Sequence, residues 1–207
     1  FFRDEVMKMK LNDIERSIIK TYKRKIYGRF LKGIKEYEMI KDGDVIAVCI
    51  SGGKDSFLLA KCMQELKKHS KYKFDLKFIV MDPGYTKENI EKIKENLKKL
   101  NIPGIIYKSE IFEKIKDTDS ICYMCARKRR GSLYAKAKEL GCNKIALGHH
   151  FDDVIETILL NIIYAGEYKT MMPKLKSTNF EGMELIRPLY FVKENDIISW
   201  KNYCKLE

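Results

Sequence analysis

Six residues, Ser51-Gly52-Gly53-Lys54-Asp55-Ser56, set directly behind the apolar run Val45 to Ile50, restrict what this chain can fold into more than any other feature. Two adjacent glycines at the end of a buried strand let the backbone approach an anion without a clashing Cβ. Consecutive amides, and the positive end of the helix that follows, then suit phosphate groups. The run is not G-x-x-x-x-G-K-[ST], because its glycines are adjacent and Asp55 separates the lysine from the serine. A plain Gly-Gly turn between strand and helix would explain the glycines but not the rest of the loop.

Around this loop, strand and helix signals alternate. From Leu11 to about Glu38, Ile14, Ile18, Tyr22, Ile26, Phe30 and Ile34 recur every four residues, which predicts an amphipathic helix. Its other face carries Arg16, Lys20, Lys23, Arg24, Arg29 and Lys32, either a solvated face or a basic arm for RNA phosphates. Lys41 to Asp44 reads as a turn, and Val45 to Ile50 as a parallel strand covered on both sides. A helix follows from about Ser56 to His69. Further strands are expected at Leu76 to Met81, Ile105 to Lys108 and Lys144 to Gly148. Helices are expected at Lys87 to Leu100, Tyr123 to Leu140, Asp153 to Ala165 (stopping at Gly166) and from Lys193 onward. Met171 to Tyr190 reads as a loop with a short hairpin. The pattern predicts an α/β fold, a central mostly parallel sheet with helices on both faces. It divides into an N-terminal basic helical region, 1–40, and a nucleotide domain, 41–207. Ligands of such sheets sit beyond the carboxyl ends of the strands, where every motif falls.

Composition sets outer limits. With 207 residues the chain can bury a real core, and 45% apolar against 34% charged residues is ordinary for a globular protein. A formal net charge of +12 points to a polyanionic partner, although general lysine richness would give the same count. No run reaches the roughly 18 apolar residues of a membrane span. No leader is visible, and a cytoplasmic protein with no membrane partner is expected.

A second motif, Gly148-His149-His150-Phe151-Asp152-Asp153-Val154-Ile155-Glu156-Thr157, again joins a strand end to a helix. Asp152 and Asp153 suit the first helical turn, and their hard oxygens also suit Mg²⁺ on ATP. Glu156 is a candidate to cap the helix by reaching back toward them. His149 and His150 lack a third partner at zinc spacing and are assigned to packing and substrate contact.

In a third motif, Cys122-Tyr123-Met124-Cys125 runs straight into Ala126-Arg127-Lys128-Arg129-Arg130. Two thiols at C-x-x-C spacing beside four cations favour thiolate, and hence metal ligation or nucleophilic sulfur. A zinc ribbon would need a second pair, which is missing. Cys49, Cys62 and Cys142 read as small core residues. Tyr164, Tyr168 and Phe180 are assigned to packing ahead of stacking on a base.

Taken together, SGGKDS, C-x-x-C-x-x-x-R-R and GHHFDDVIET, in that order from about Ile40 to Tyr190, resemble the tRNA 2-thiocytidine synthetase family of the PP-loop ATP pyrophosphatases. The resemblance implies a PP-loop ATPase fold and ATP-dependent thiolation of tRNA in the cytoplasm. ATP and Mg²⁺ would adenylate a pyrimidine C2 oxygen, and sulfur would then displace AMP. Ser51 to Ser56 would hold phosphates, with Asp55 and Asp152 or Asp153 near the metal, alongside Gly148. Met81 and Asp82 would meet adenine or ribose, and Arg129 or Arg130 would stabilise developing charge. A [4Fe–4S] cluster on three cysteines is implied. Cys122 and Cys125 map onto two of them, and the third is Cys204 or a cysteine downstream of Glu207. The sulfur donor, sulfide or a cysteine desulfurase, and a homodimer are left open. Three alternatives stand beside this reading: a PP-loop ligase that transfers no sulfur, a cysteine-persulfide sulfurtransferase without a cluster, and a non-enzymatic, basic RNA-binding module with a degenerate nucleotide site.

Overall fold

A computed structural model describes residues 11–109 and 121–206, the side chains of 121–127 excepted. Six strands form one sheet: β1 (Val45–Ile50), β2 (Asp75–Asp82), β3 (Gly104–Lys108), β4 (Lys144–Ala146), β5 (Lys174–Lys176) and β6 (Glu184–Ile186), in the order β3-β2-β1-β4-β6-β5. All neighbours are parallel except the β5/β6 hairpin. The short hairpin expected within Met171 to Tyr190 is present, but its pairing with the sheet was not foreseen. Strand β6 pairs with β4, Ile145 opposite Leu185, and extends the sheet. Three-residue strands are too short to show their period, so this part was not legible.

The helices are α1 (Leu11–Arg16), α2 (Gly28–Glu36), α3 (Lys54–His69), α4 (Lys87–Lys99), α5 (Ile121–Glu139), α6 (Phe151–Leu160) and α7 (Glu194–Tyr203). Along β1, Ile46, Val48 and Ile50 enter one core while Ala47 and Cys49 enter another, the two-residue alternation of a strand buried on both faces. The larger core holds apolar side chains of α1–α4 and α7. The smaller one, across the sheet, includes Tyr134 and Ala137 of α5.

The N-terminal segment is helical as expected but not uniformly α. Between α1 and α2 lie π-helical stretches at Ser17–Thr21 and Lys23–Tyr27, with Tyr22 N donating to Ser17 O (2.8 Å) and Tyr27 N to Tyr22 O (3.3 Å). The four-residue repeat explains them. From Ile14 to Ile34 an ideal helix of about 3.6 residues per turn would make about 5.6 turns, and the stripe would drift about 200° around the axis. If each π turn absorbs about one extra residue, about five whole turns remain and the stripe stays on one face. All six members are at most 9% exposed, in the same core as β1, α3 and α7.

At the amino ends of the strands, Lys144 Nζ, buried, meets Asp44 Oδ2 at 2.7 Å and the Met39 carbonyl at 2.9 Å, locking β4 to the start of β1. The carboxyl ends are left for ligands.

Candidate nucleotide site

The sheet order reverses direction between β1 and β4, and the loops after these two strands diverge to leave a crevice. There a cavity of about 330 Å³ is lined by Ser51, Asp55 and Ser56 after β1, by Met81, Pro83 and Tyr85 after β2, by Gly148, His149 and Asp153 after β4, and by Arg129 of α5. Three motifs far apart in sequence therefore share one cavity.

The Gly-Gly loop is shaped by Ser56, whose hydroxyl donates to the Gly53 carbonyl (2.8 Å) and accepts from the Ser51 amide (3.2 Å). Gly52 has φ +89°, and a Cβ there would meet Ile93 at 2.8 Å. A Cβ on Gly148 would lie 3.1 Å from the Ser56 amide nitrogen, so the two loops close over one another only with glycine there. Lys54 sits at the start of α3 but turns to Glu194, 2.9 Å away, and to Asp55. Partial burial works against its charge, yet these two carboxylates outweigh it and raise the ammonium above its ordinary range.

The two aspartates divide. Asp153 lines the cavity and caps α6: its carboxylate accepts from His150 N at 2.7 Å, while His150 Nδ1 accepts from Asp153 N at 3.4 Å. Asp152 points to α7, accepting from the Glu194 amide at 2.7 Å, and does not line the cavity. Glu156, expected to cap the helix, is exposed, and His150 takes that task. Asp82, expected near ribose, is buried and spends Oδ1 on the Gly84 and Tyr85 amides (2.9 and 2.8 Å); Met81 does line the cavity. Sequence reading missed Arg187, which is buried after β6 and donates to His149 Nδ1 (3.4 Å) and to the Met172 carbonyl. Only its place one residue beyond a strand, Ile186, could have signalled it. Phe180 packs on Tyr134 as expected, but Tyr164 and Tyr168 are 82% and 81% exposed, not packed.

Whether the implied groups fit can be judged on the donors. Asp55 Oδ1 is buried without a hydrogen bond, 3.8 Å from His150 Nε2, and with Asp153 it offers hard oxygens suited to Mg²⁺. Among the described residues no three His, Cys, Asp or Glu side chains gather as a metal group. The side chains of Cys122 and Cys125 lie outside the described residues. Their backbone positions, seven and four residues before Arg129 on α5, fall on the stripe that reaches the cavity. Soft thiols in that place suit iron–sulfur ligation. Cys204, the third candidate, has a described side chain. It is 0% exposed in the larger core, on the sheet face opposite α5, where burial pushes its thiol up to about 12. Its surroundings suit a packing role. Cys49 is likewise pushed up to about 12 by burial, and Cys62 and Cys142 are raised for the same reason.

Comparison with known proteins agrees with this geometry. A family model described as a PP-loop domain matches residues 20–207. The chain is 44% identical over 174 residues to the tRNA-cytidine(32) 2-sulfurtransferase of Aliivibrio fischeri (strain MJ11), covering 81% of this chain and 55% of that protein. With the protein of the same name from Shewanella sediminis (strain HAW-EB3) it shares 38% over 197 residues, 92% of this chain and 61% of that one. The chain thus spans little more than half the length of these curated relatives. In fold it is similar to the U34-tRNA thiolase NcsA from Methanococcus maripaludis with its [4Fe-4S] cluster (TM-score 0.68, 22% identity, 87% of this chain and 63% of that chain). It is also similar to the NH3-dependent NAD synthetase from Campylobacter jejuni subsp. jejuni (TM-score 0.53, 17% identity, 96% and 75%).

Proposed function

The chain belongs to the PP-loop family, and from that premise we propose that it carries the ATP site of an enzyme that adenylates a pyrimidine C2 oxygen in tRNA and replaces it with sulfur, of the 2-thiocytidine type. The observation that carries the reading is the meeting of the Gly-Gly loop, Asp153 and Arg129 of the C-x-x-C helix in one cavity. The names of the relatives support the substrate class.

The chain's own groups divide the work. Amides of the loop from Gly52 to Ser56 face the β- and γ-phosphates, and Met81 at the end of β2 borders the nucleoside. Asp55 and Asp153 would hold Mg²⁺, which neutralises the leaving pyrophosphate. The base oxygen attacks the α-phosphorus, pyrophosphate leaves, and the oxygen departs in the next step as part of AMP. Arg129 faces the anion that develops while sulfur adds to C2 and AMP leaves. Cys122 and Cys125 would hold two irons of a [4Fe–4S] cluster, which would supply the incoming sulfur when bound.

The test is anaerobic incubation of the natural protein, reconstituted with iron and sulfide, with tRNA, ATP and sulfide. Thiolated nucleoside by mass spectrometry, with pyrophosphate release, is expected. Release of pyrophosphate without sulfur in the RNA would indicate the non-sulfur ligase, and no release at all would end the adenylation reading. Cys122→Ala should abolish thiolation while ATP binding persists.

A further inference from the structure

We propose that the outward face of residues 16–35 is the surface that takes the phosphate backbone of the substrate RNA and leads it to the cavity; the proposal rests on the RNA-substrate reading above.

Between Arg16 and Lys35 the chain has eight Lys and Arg and no carboxylate. Lys20 lies on the first π turn, and Lys23, Arg24 and Lys25 on the second. All four are exposed, and among the described residues no ion pair is recorded for Lys20, Lys23 or Arg24. Such a run, taken alone, is usually just a solvated face. Three features of the structure argue for more here.

First, the face is held rigidly. The stripe beneath it is buried in the core, and Tyr22 Oη is 3.1 Å from both the carbonyl and the hydroxyl oxygen of Ser199 on α7. Second, it runs toward the chemistry. Arg29 and Lys25 reach Asp196 at 3.2 and 3.8 Å, and Asp196 is two residues from Glu194, which holds Lys54 of the phosphate loop. The cations thus form a track that ends one helical turn from the nucleotide loop. Third, a lipid surface is a poor occupant. A basic amphipathic helix on a membrane must sink its apolar face into lipid. Here that face is spent inside the protein, leaving only charge outward, which suits the phosphates of a polynucleotide.

The test is binding of bulk tRNA across a salt series by wild type, by Lys20→Gln/Lys23→Gln/Arg24→Gln and by the corresponding Glu triple. The control is Lys71→Gln/Lys73→Gln/Lys98→Gln, of equal charge change but at the far pole, near the amino ends of the strands. Binding of ATP confirms that each variant is folded. We expect the first Gln triple to bind tRNA at least about tenfold more weakly near 100 mM salt, with a salt slope shallower by about 2 to 3 units. The Glu triple should be weaker still, and the control should lose less than about threefold. Equal losses in both Gln triples would reduce the effect to net charge and overturn the proposal. Undiminished tRNA binding by the first triple would overturn it too, while leaving an RNA substrate intact. Absence of tRNA binding by the wild type would sink that reading and this surface together. If the triples lost affinity only for phosphatidylserine vesicles, the partner would be a membrane, and the RNA assignment would fall.

Discussion

Glu194 holds Lys54 at 2.9 Å with its carboxylate while its own amide donates to Asp152 at 2.7 Å. One residue at the start of α7 therefore ties together the phosphate loop after β1 and the aspartate pair after β4. The two contacts are separable. Glu194→Gln removes the charge facing Lys54 but keeps the backbone donor to Asp152. Lys54 then faces incoming phosphates with Asp55 as its remaining carboxylate partner. A part-exposed pair of this kind is worth up to about 1 kcal/mol. We expect the variant to bind a non-hydrolysable ATP analogue about 2- to 5-fold more tightly by calorimetry. Weaker binding would show that Glu194 orients Lys54 for ATP and does not compete with it.

Gly148 is a second place where the two loops depend on one another. A methyl group there would lie 3.1 to 3.3 Å from backbone atoms of Asp55 and Ser56, which cannot rotate aside as a side chain would. Gly148→Ala should push the first turn of α3 away, costing about 1–3 kcal/mol by overpacking. The measurements are a denaturant midpoint and ATP affinity, and the latter should fall at least tenfold. An unchanged affinity would mean that α3 and β4 need not be this close to form the site.

How much of this could be read from the chain follows from what each signal depends on. The Gly-Gly loop, the GHHFDD string and the C-x-x-C run are local; the first two stand directly at the ends of β1 and β4, and the third lies in the first turn of α5. The cavity that unites Ser51, Asp153 and Arg129 follows from the sheet order, which right-handed crossovers restrict. The finer division was not legible. Whether Asp152 or Asp153 faces the cavity depends on α7 arriving with a free amide, and Asp82 is diverted by two amides of its own loop. Arg187 is invisible in sequence because β6 is three residues long and its neighbour β4 lies about forty residues upstream. The four-residue spacing of Ile14 to Ile34 did carry a message. It departs from 3.6 in the direction that π turns correct, as Ser17–Thr21 and Lys23–Tyr27 do.

Cys204 offers a sharp test of the iron–sulfur ligand set. A core thiol at 0% exposure contributes packing, so Cys204→Ala should cost roughly 1 kcal/mol and leave iron content and absorption near 400 nm as in the wild type. Cys125→Ala, in contrast, should lose most of the iron after anaerobic reconstitution. Loss of iron in a folded Cys204→Ala protein would contradict the core assignment and restore Cys204 as a ligand.

His149 gives the site a pH signature. It lies between the cavity and Arg187, whose Nε donates to its Nδ1, so the neutral ring carries its proton on Nε2. Burial first, then the nearby Arg187 and Arg130 guanidinium groups, push its pKa down to about 4, against a smaller upward pull from Asp153. The folded protein thus favours the neutral ring, while the unfolded chain takes up a proton near its ordinary value of 6.5. The stabilisation is complete above pH 6.5, is lost progressively as pH falls toward 4, and changes no further below that. Its size is at most about 3 kcal/mol. His149→Gln cannot titrate and should lack this part of the acid slope. Chemical denaturation of both proteins at intervals from pH 7 to 4 measures the difference: the wild-type stability should fall more steeply, and parallel curves would show that His149 is not held neutral.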